Sequence, residues 1–259
     1  MTTTTLSLGA ALNAGLRRAL EHDRKVVIMG EDVGRLGGVF RVTDTLQKDF
    51  GDNRVIDTPL AESGIVGAAF GMALRGFRPV CEIQFDGFVH MIQQSVAADD
   101  PVVFFEPKRR YWDKAEFDVD AEPDLPLHQA RVARVGTDAT IVAYGSVVPT
   151  ALSAAAVAAD EGHSLEVIDL RSLSPIDFDT IEESVRKTGR LVVAHEASTF
   201  AGLGAEIAAR ISERCFYQLD APVLRVGGFD VPYPPSKLEL HHLPDADRLL
   251  DAVDRSLAA

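Results

Sequence analysis

A single carboxylate, Glu62, stands in VIDTPLAESGIVGAAFGMALRG, the stretch from Val55 to Gly76, between a turn-prone Asp-Thr-Pro and a run of small and apolar residues. The run reads as a buried helix. Beside Leu60, Ile65 and Val66, burial would raise the pKa of such an acid and suit it to sharing a proton. The same position, at the start of a helix expected from about Ser63, also suits an acid that simply interacts with the helix dipole. Taken alone, the stretch leaves both readings open.

Other chemistry-bearing groups are less specific. His195 and Glu196, at the end of LVVAHEA, lie where open α/β sheets place ligands, outside the carboxyl ends of strands, although a strand-end histidine commonly has a structural role. Glu106 and the Lys108 to Arg110 run follow an apolar segment and read as a solvated or interface cluster. The adjacent His241 and His242 point different ways on any regular element. There is no Gly-x-Ser-x-Gly elbow and no His-Glu-x-x-His helix, and Cys81 and Cys215 lack metal-type spacing. GRLGGVFRVTDT has no Gly-Lys-Ser/Thr ending of a P-loop. GLGAEIAA, Gly202 to Ala209, has two of the three dinucleotide glycines and reads as a helix start that needs close packing.

The elements that must position these groups alternate. A helix over LSLGAALNAGLRRALEHD precedes a strand at KVVIMGEDV; the Glu62 helix precedes a strand at RPVCEIQF; DGFVHMIQQSVAADD is helix-like and PVVFFEP strand-like. A polar, proline-punctuated linker is expected between about Pro107 and Arg131. DATIVAYG, VVPTALSAAAVAADEG, SLEVIDLRSL, IDFDTIEESVRKTG, RLVVAHEA, LGAEIAARISERC and APVLRVGG then repeat the pattern of strand and helix. The fold class is α/β with two doubly wound domains, residues 1–120 and 121–259.

Composition narrows the functions. With 26 Lys and Arg against 39 Asp and Glu, a net charge of −13, the chain has no basic face for phosphates, so nucleic acid is not an expected partner. Two distant cysteines point to a reducing compartment. No apolar run is long enough to span a membrane, and MTTTTLSLGAALNAGLRRAL lacks a basic segment followed by an apolar one; a soluble, cytoplasmic protein is expected.

Several motifs in one order carry a resemblance over nearly the whole chain: GEDVGRLGGVFRVT at Gly30 to Thr43, DTPLAESGIVGAAFGMALRG, EIQFDGF at Glu82 to Phe88, DDPVVFFEPKRRYW, ATIVAYGSVV, LVVAHEA, GLGAEIAARI and RVGGFDVPYP. The chain resembles the beta subunit of the thiamine-diphosphate-dependent decarboxylase component of 2-oxo acid dehydrogenase complexes. The resemblance implies a transketolase-like fold, a pyrimidine-binding domain followed by a transketolase C-terminal domain. It implies that Glu62 sits against the aminopyrimidine ring of thiamine diphosphate, where a carboxylate on the ring nitrogen favours the imino form that takes the proton from the thiazolium carbon. It further implies that Phe88 stacks on that ring and that Gln84 and Leu60 shape the pocket.

The paired motif that holds Mg²⁺ in thiamine enzymes is absent, and GDN at Gly51 to Asn53 does not replace it. By the same resemblance the metal and diphosphate are held by an alpha subunit, in an assembly of two alpha and two beta chains that passes the acyl group to a lipoyl acyltransferase component. TPLAESGIVG and FFEPKRRYW resemble branched-chain enzymes more than pyruvate ones, with a pyruvate or acetoin enzyme, or an inactive structural beta-like subunit, as alternatives. One departure stands out. After His90 the family pattern jumps directly to MIQQSVAADDPVVFFEP, as if a segment on the order of seventy residues, enough for two strand-helix units, were omitted or deleted. The family's acyl-transfer histidine and part of a structural K⁺ site belong to that segment, so His90 does not inherit the role. A gap between His90 and Met91 is expected, their flanking pieces belonging to different helices, because RPVCEIQF and PVVFFEP both read as buried strands of an intact sheet.

Overall fold

Val26–Gly30, VVIMG, is apolar throughout and buried at every position, as befits a parallel strand covered on both faces. The computed structural model describes residues 4–38, 40–82, 94–103, 105, 110, 113–117 and 124–259, in two units, residues 1–126 and 127–259. In the first unit β1 (Thr4–Ser7) is followed by α1 (Leu8–His22), β2 (Val26–Gly30), α2 (Leu46–Phe50), β3 (Val55–Asp57), α3 (Glu62–Leu74), β4 (Arg78–Glu82) and β5 (Lys114–Phe117). β2 lies between β3 and β4, parallel to both, and Gly30 is in register with Asp57 and Glu82.

Period-two alternation along β2 divides the core. Val26 and Ile28 pack with Leu12, Leu16 and Leu20 of α1, whereas Met29 packs with Ile65 and Ala69 of α3. Ser7 caps α1, its hydroxyl accepting from the Ala10 amide at 3.3 Å.

The structure corrects four expectations. The Glu62 helix forms, beginning at Glu62, but within this chain it is not buried: Ile65 and Ala69 face the sheet while Val66, Phe70 and Leu74 are 51, 65 and 73% exposed. Both stripes are apolar at i, i+4 spacing, and an all-round apolar helix requires a cover on each side; the described residues supply one. The strand expected at PVVFFEP is not formed by Pro101, Val102, Val103 or Phe105, and Val103 and Phe105 are 78 and 80% exposed. Within the described part of DGFVHMIQQSVAADD only Gln94 to Ala97 are helical. Part of the expected linker is instead β5, paired antiparallel with β1.

The second unit contains β6 (Arg131–Arg134), β7 (Ala139–Ala143), α4 (Val147–Asp160), β8 (Leu165–Asp169), α5 (Phe178–Thr188), β9 (Leu191–Ser198), α6 (Leu203–Arg214), β10 (Leu224–Gly228), α7 (Glu239–His242) and α8 (Ala246–Leu257). Its sheet runs β10-β9-β7-β8-β6, parallel except for β6. Ala151, Ala154, Ala155 and Ala158 of α4 pack with Leu249 and Val253 of α8 in one cluster. Ile181 and Val185 of α5 pack with Ile207 and Ile211 of α6 in another. Small residues along α4 let it approach the sheet closely, and a helix layer on each face is the doubly wound arrangement the alternating segments predict. Asp177 and Asp245 cap α5 and α8 through amides of Thr180 and Arg248.

Candidate active site

The carboxyl ends of β2, β3 and β4 deliver acids to one edge of the first unit's sheet: Glu31 just beyond β2, Asp57 ending β3 and Glu82 ending β4. This is where open parallel sheets bind ligands. Glu62 lies in the first turn of α3, the helix that follows β3, and is exposed; Leu60 beside it is 79% exposed. The helix-dipole placement is therefore realised, while the apolar burial expected from Leu60 and Val66 is not provided by the described residues. Gln84 and Phe88, and likewise His90 and Met91, lie outside the described residues.

The loop from Glu31 to Thr45 closes over the strand ends with Asp32, Arg41 and Thr45 in the left-handed region, at φ 56°, 64° and 65°. Such conformations in non-glycine residues persist only when neighbours hold them, and they concentrate at functional sites. Here α1 does the holding. Asn13 donates to the Val42 and Asp44 carbonyls at 3.0 and 2.9 Å, and Arg17 donates to Thr45 Oγ1 at 2.8 Å while pairing with Asp49. Asp57 accepts from the Gly34 amide at 2.6 Å. A Cβ on Gly34 would lie 2.4 Å from Asp57 Oδ2, so a side chain there would break this tie.

Electrostatics mark two residues that reasoning on the sequence missed. Glu31 is only 8% exposed, and burial, then Glu62 and Asp32, push its carboxyl above the usual range. Burial, then Glu31 and Asp32, push Glu82 up to about 7. Glu31 Oε1, Thr43 Oγ1, Thr58 Oγ1 and Glu82 Oε2 are shielded from solvent without a hydrogen-bond partner. The available signal was an acid directly after each of two buried-strand patterns, VVIMGE and RPVCE.

This donor set fits part of the implied cofactor. Exposed Glu62 next to apolar Leu60, with buried orphan acceptors behind it, suits a nitrogen-rich ring that offers N–H groups. Among the described residues there is no group of three or more His, Cys, Asp or Glu able to hold a metal, so the described part of the chain offers no diphosphate–metal half.

His195 is fully buried and structural. Its Nε2 accepts from the Gly204 amide at 3.1 Å, which leaves the proton on Nδ1 to be donated to the Ala197 carbonyl at 2.9 Å. A Cβ on Gly204 or Gly202 would approach the ring to 2.5 or 2.7 Å, so the glycines of GLGAEIAA admit the imidazole at the start of α6. Burial lowers its pKa, with the Arg225 charge acting in the same direction. A neutral, buried histidine stabilises the fold above its unfolded pKa of 6.5, and that contribution is lost as pH falls towards the depressed folded value. The second unit is thus expected to melt at lower temperature at about pH 5.5 than at about pH 7.5, and Gly204→Ala to lower it at both; calorimetry checks this. Of the adjacent histidines, His241 is exposed and His242 is buried edge-on against Phe229 and Tyr233. Arg110 pairs with Asp113, whereas Glu106, Lys108 and Arg109 lie outside the described residues.

Comparison with known proteins gives matches to two family models: the transketolase pyrimidine binding domain over residues 4–100 and the transketolase C-terminal domain over residues 128–249. The pyruvate dehydrogenase E1 component subunit beta of Leifsonia xyli is 50% identical over 322 residues, covering 98% of this chain and 95% of that protein. The 3-methyl-2-oxobutanoate dehydrogenase subunit beta of Mycobacterium tuberculosis is 43% identical over 324 residues, covering 98% and 93%. A solved split-gene transketolase, an inactive beta4 tetramer, superposes with a TM-score of 0.78 at 22% identity over 98% of both chains, a likeness of fold. The 322 aligned positions exceed the 259 residues of this chain, so at least 63 (322 − 259) positions of the Leifsonia protein face a gap here. With both domains matched in order and beta subunits of 43 and 50% identity spanning the chain, this protein belongs to the transketolase-like family of 2-oxo acid dehydrogenase E1 beta subunits.

Proposed function

We propose that the chain is the beta half of a thiamine-diphosphate-dependent 2-oxo acid decarboxylase, working in the cytoplasm with an alpha subunit, as two alpha and two beta chains, and handing its acyl product to a lipoyl acyltransferase. The observation that carries this reading is Glu62 exposed at the first turn of α3, at the same sheet edge as the orphaned Glu31 and Glu82. Bound thiamine diphosphate supplies the carbon nucleophile that the side chains of this protein lack.

In this reading Glu62 accepts a hydrogen bond from the ring nitrogen and holds the proton there. Phe88 would stack on the ring, and Leu60 and Gln84 would shape its pocket and exclude water. Glu31, whose carboxyl burial and the Glu62 charge push above the usual range, lies close enough to feel that charge. Mg²⁺ and the diphosphate fall to the alpha subunit, and a structural K⁺ would need ligands beyond those described. The outer stripe of α3 is the surface that a second chain would cover, which also supplies the burial Glu62 lacks.

The substrate is a 2-oxo acid. Most of FFEPKRRYW, one of two segments favouring the branched-chain class, lies outside the described residues, and of the two relatives above the pyruvate protein shares more residues. A second reading, an inactive structural subunit, is favoured by the gap of at least 63 positions (322 − 259), which we place after His90. Reconstitution with the alpha subunit and assay of CO₂ release from pyruvate and 3-methyl-2-oxobutanoate separates these. Turnover of either acid is expected; a complex that assembles, binds thiamine diphosphate and releases no CO₂ supports the inactive subunit.

A further inference from the structure

Asn13 of α1 reaches the far end of the loop that closes over the strand ends. Its side-chain nitrogen donates to the Val42 carbonyl at 3.0 Å and to the Asp44 carbonyl at 2.9 Å. Both partners are acceptors and a primary amide carries two N–H donors, so one side chain clamps the backbone on each side of Thr43. Thr43 itself is fully buried. Arg41 and Thr45, which border the clamped residues, are left-handed at φ 64° and 65°, conformations that neighbours must hold.

From this clamp, backbone hydrogen bonds run back to the sheet edge. The Thr43 amide donates to the Gly37 carbonyl at 3.1 Å, and the Gly38 amide donates to the Asp32 carbonyl at 2.8 Å. A Cβ on Gly38 would stand 3.3 Å from Thr43 Oγ1 and 3.9 Å from Glu82 Oε1, so the Gly37–Gly38 turn lies against both side chains. Asp32 follows Glu31, which leaves the end of β2. The helix that carries Asn13 is fixed to the same strand, because Leu12, Leu16 and Leu20 pack with Val26 and Ile28. Both ends of the loop are therefore referred to one rigid body, β2 with α1, and Asn13 is a link at the far end. Arg17, one turn along α1, adds a bond to Thr45 Oγ1 outside the clamped residues. The Gly34 amide, bonded to Asp57, ties the near end to β3, whose following helix begins at Glu62.

Resting on the thiamine-dependent reading above, we propose that Asn13 is a positioning residue for the cofactor site: by clamping residues 42–44 it keeps the Glu31–Thr45 loop in the arrangement that walls the sheet edge, and so sets the affinity for thiamine diphosphate. Asn13 acts through the loop and touches neither cofactor nor substrate. Without the clamp the loop samples other arrangements, and the apparent dissociation constant rises by the inverse of the fraction still in place. Saturating cofactor draws the loop back, so turnover of the loaded enzyme is preserved. Asn13 lies outside the apolar cluster that joins α1 to β2, so replacing it leaves that packing intact.

Two variants test this. Asn13→Ala removes both donors, and Asn13→Asp keeps the shape while turning an acceptor towards two carbonyls. Hydrogen exchange on the full chain reads the loop without cofactor. In both variants the Gly38 and Thr43 amides are expected to exchange about tenfold faster than in wild type, the loss of about one net hydrogen bond, while the amides of β2 keep their protection. The unfolding temperature of Asn13→Ala is expected to stay close to wild type, because Ala is the stronger helix former. In complexes with the alpha subunit and Mg²⁺, titration calorimetry is expected to show thiamine diphosphate bound about tenfold more weakly by Asn13→Ala, and more weakly still by Asn13→Asp, with kcat at saturating cofactor within about twofold of wild type. Unchanged exchange at Gly38 and Thr43 overturns the clamp, as does loss of protection throughout the first unit. Faster exchange with unchanged cofactor affinity, or a fall in kcat that saturating cofactor does not restore, overturns the positioning role. A wild-type complex that binds no thiamine diphosphate would count against the function proposed above, and the exchange arm would still decide on the clamp.

Discussion

Replacing Glu62 by Gln is expected to lower 2-oxo acid decarboxylation by about two orders of magnitude or more, the range for a group that holds or moves a proton in the rate-determining step. The fold should hardly register the change. Glu62 is exposed at the start of α3, no hydrogen bond tethers it among the described residues, and Gln occupies nearly the same volume. The helix-dipole interaction that the substitution removes amounts to about 0.3–1 kcal/mol at an exposed site. Activity and stability therefore separate: unfolding temperature and assembly with the alpha subunit stay close to wild type while CO₂ release collapses. A Glu62→Gln complex that turns over substrate at the wild-type rate would remove Glu62 from the chemistry.

The chain alone is expected to bind thiamine diphosphate weakly or not at all, and addition of the alpha subunit to create a tight, Mg²⁺-dependent site. Two features argue for this. No metal-binding cluster exists among the described residues, so the diphosphate has no described counter-ion on this chain. The pyrimidine end is open as well, with Leu60 79% exposed and Val66, Phe70 and Leu74 of α3 each more than half exposed. Covering such side chains contributes about 1.5–3 kcal/mol each when burial is complete, so docking of a second chain and closure of the pocket favour one another. Titration calorimetry on the isolated chain and on the reconstituted complex measures the difference; tight Mg²⁺-dependent binding to the isolated chain would contradict the shared-site reading.

Much of the second unit was legible in its residues. DATIVAYG, SLEVIDLRSL and APVLRVGG each contain the strand they predict, RLVVAHEA contains all of its strand but Ser198, and the helices between them fall within the expected segments. The reason is local: short β-branched runs bounded by turn residues, and helical spacing of small and apolar residues, fix each element before any partner is considered. The antiparallel β6 and the C-terminal α7 and α8 were not foreseen. β6 is largely exposed and carries charge at both ends, so it lacks the apolar signature of an interior strand.

The first unit was less legible. PVVFFEP has the composition of a buried strand, yet a strand needs neighbours on both sides to satisfy its backbone, and no described segment provides them. The Glu62 helix likewise has the composition of a buried element and is covered on one face only.

From sequence alone came the two-domain α/β plan, the expectation from charge that nucleic acid is not a partner, and Glu62 as the acid to watch, because hydropathy period, net charge and an isolated carboxylate in an apolar run are one-dimensional properties. Tertiary structure alone decided that His195 is a neutral structural ring held by the Gly204 amide, and that Glu31, Glu82 and Thr43 each keep a shielded side-chain oxygen without a hydrogen-bond partner. Those facts depend on residues up to about fifty positions apart being brought to one sheet edge by strand register, and no spacing along the chain encodes which buried polar atoms are left without partners.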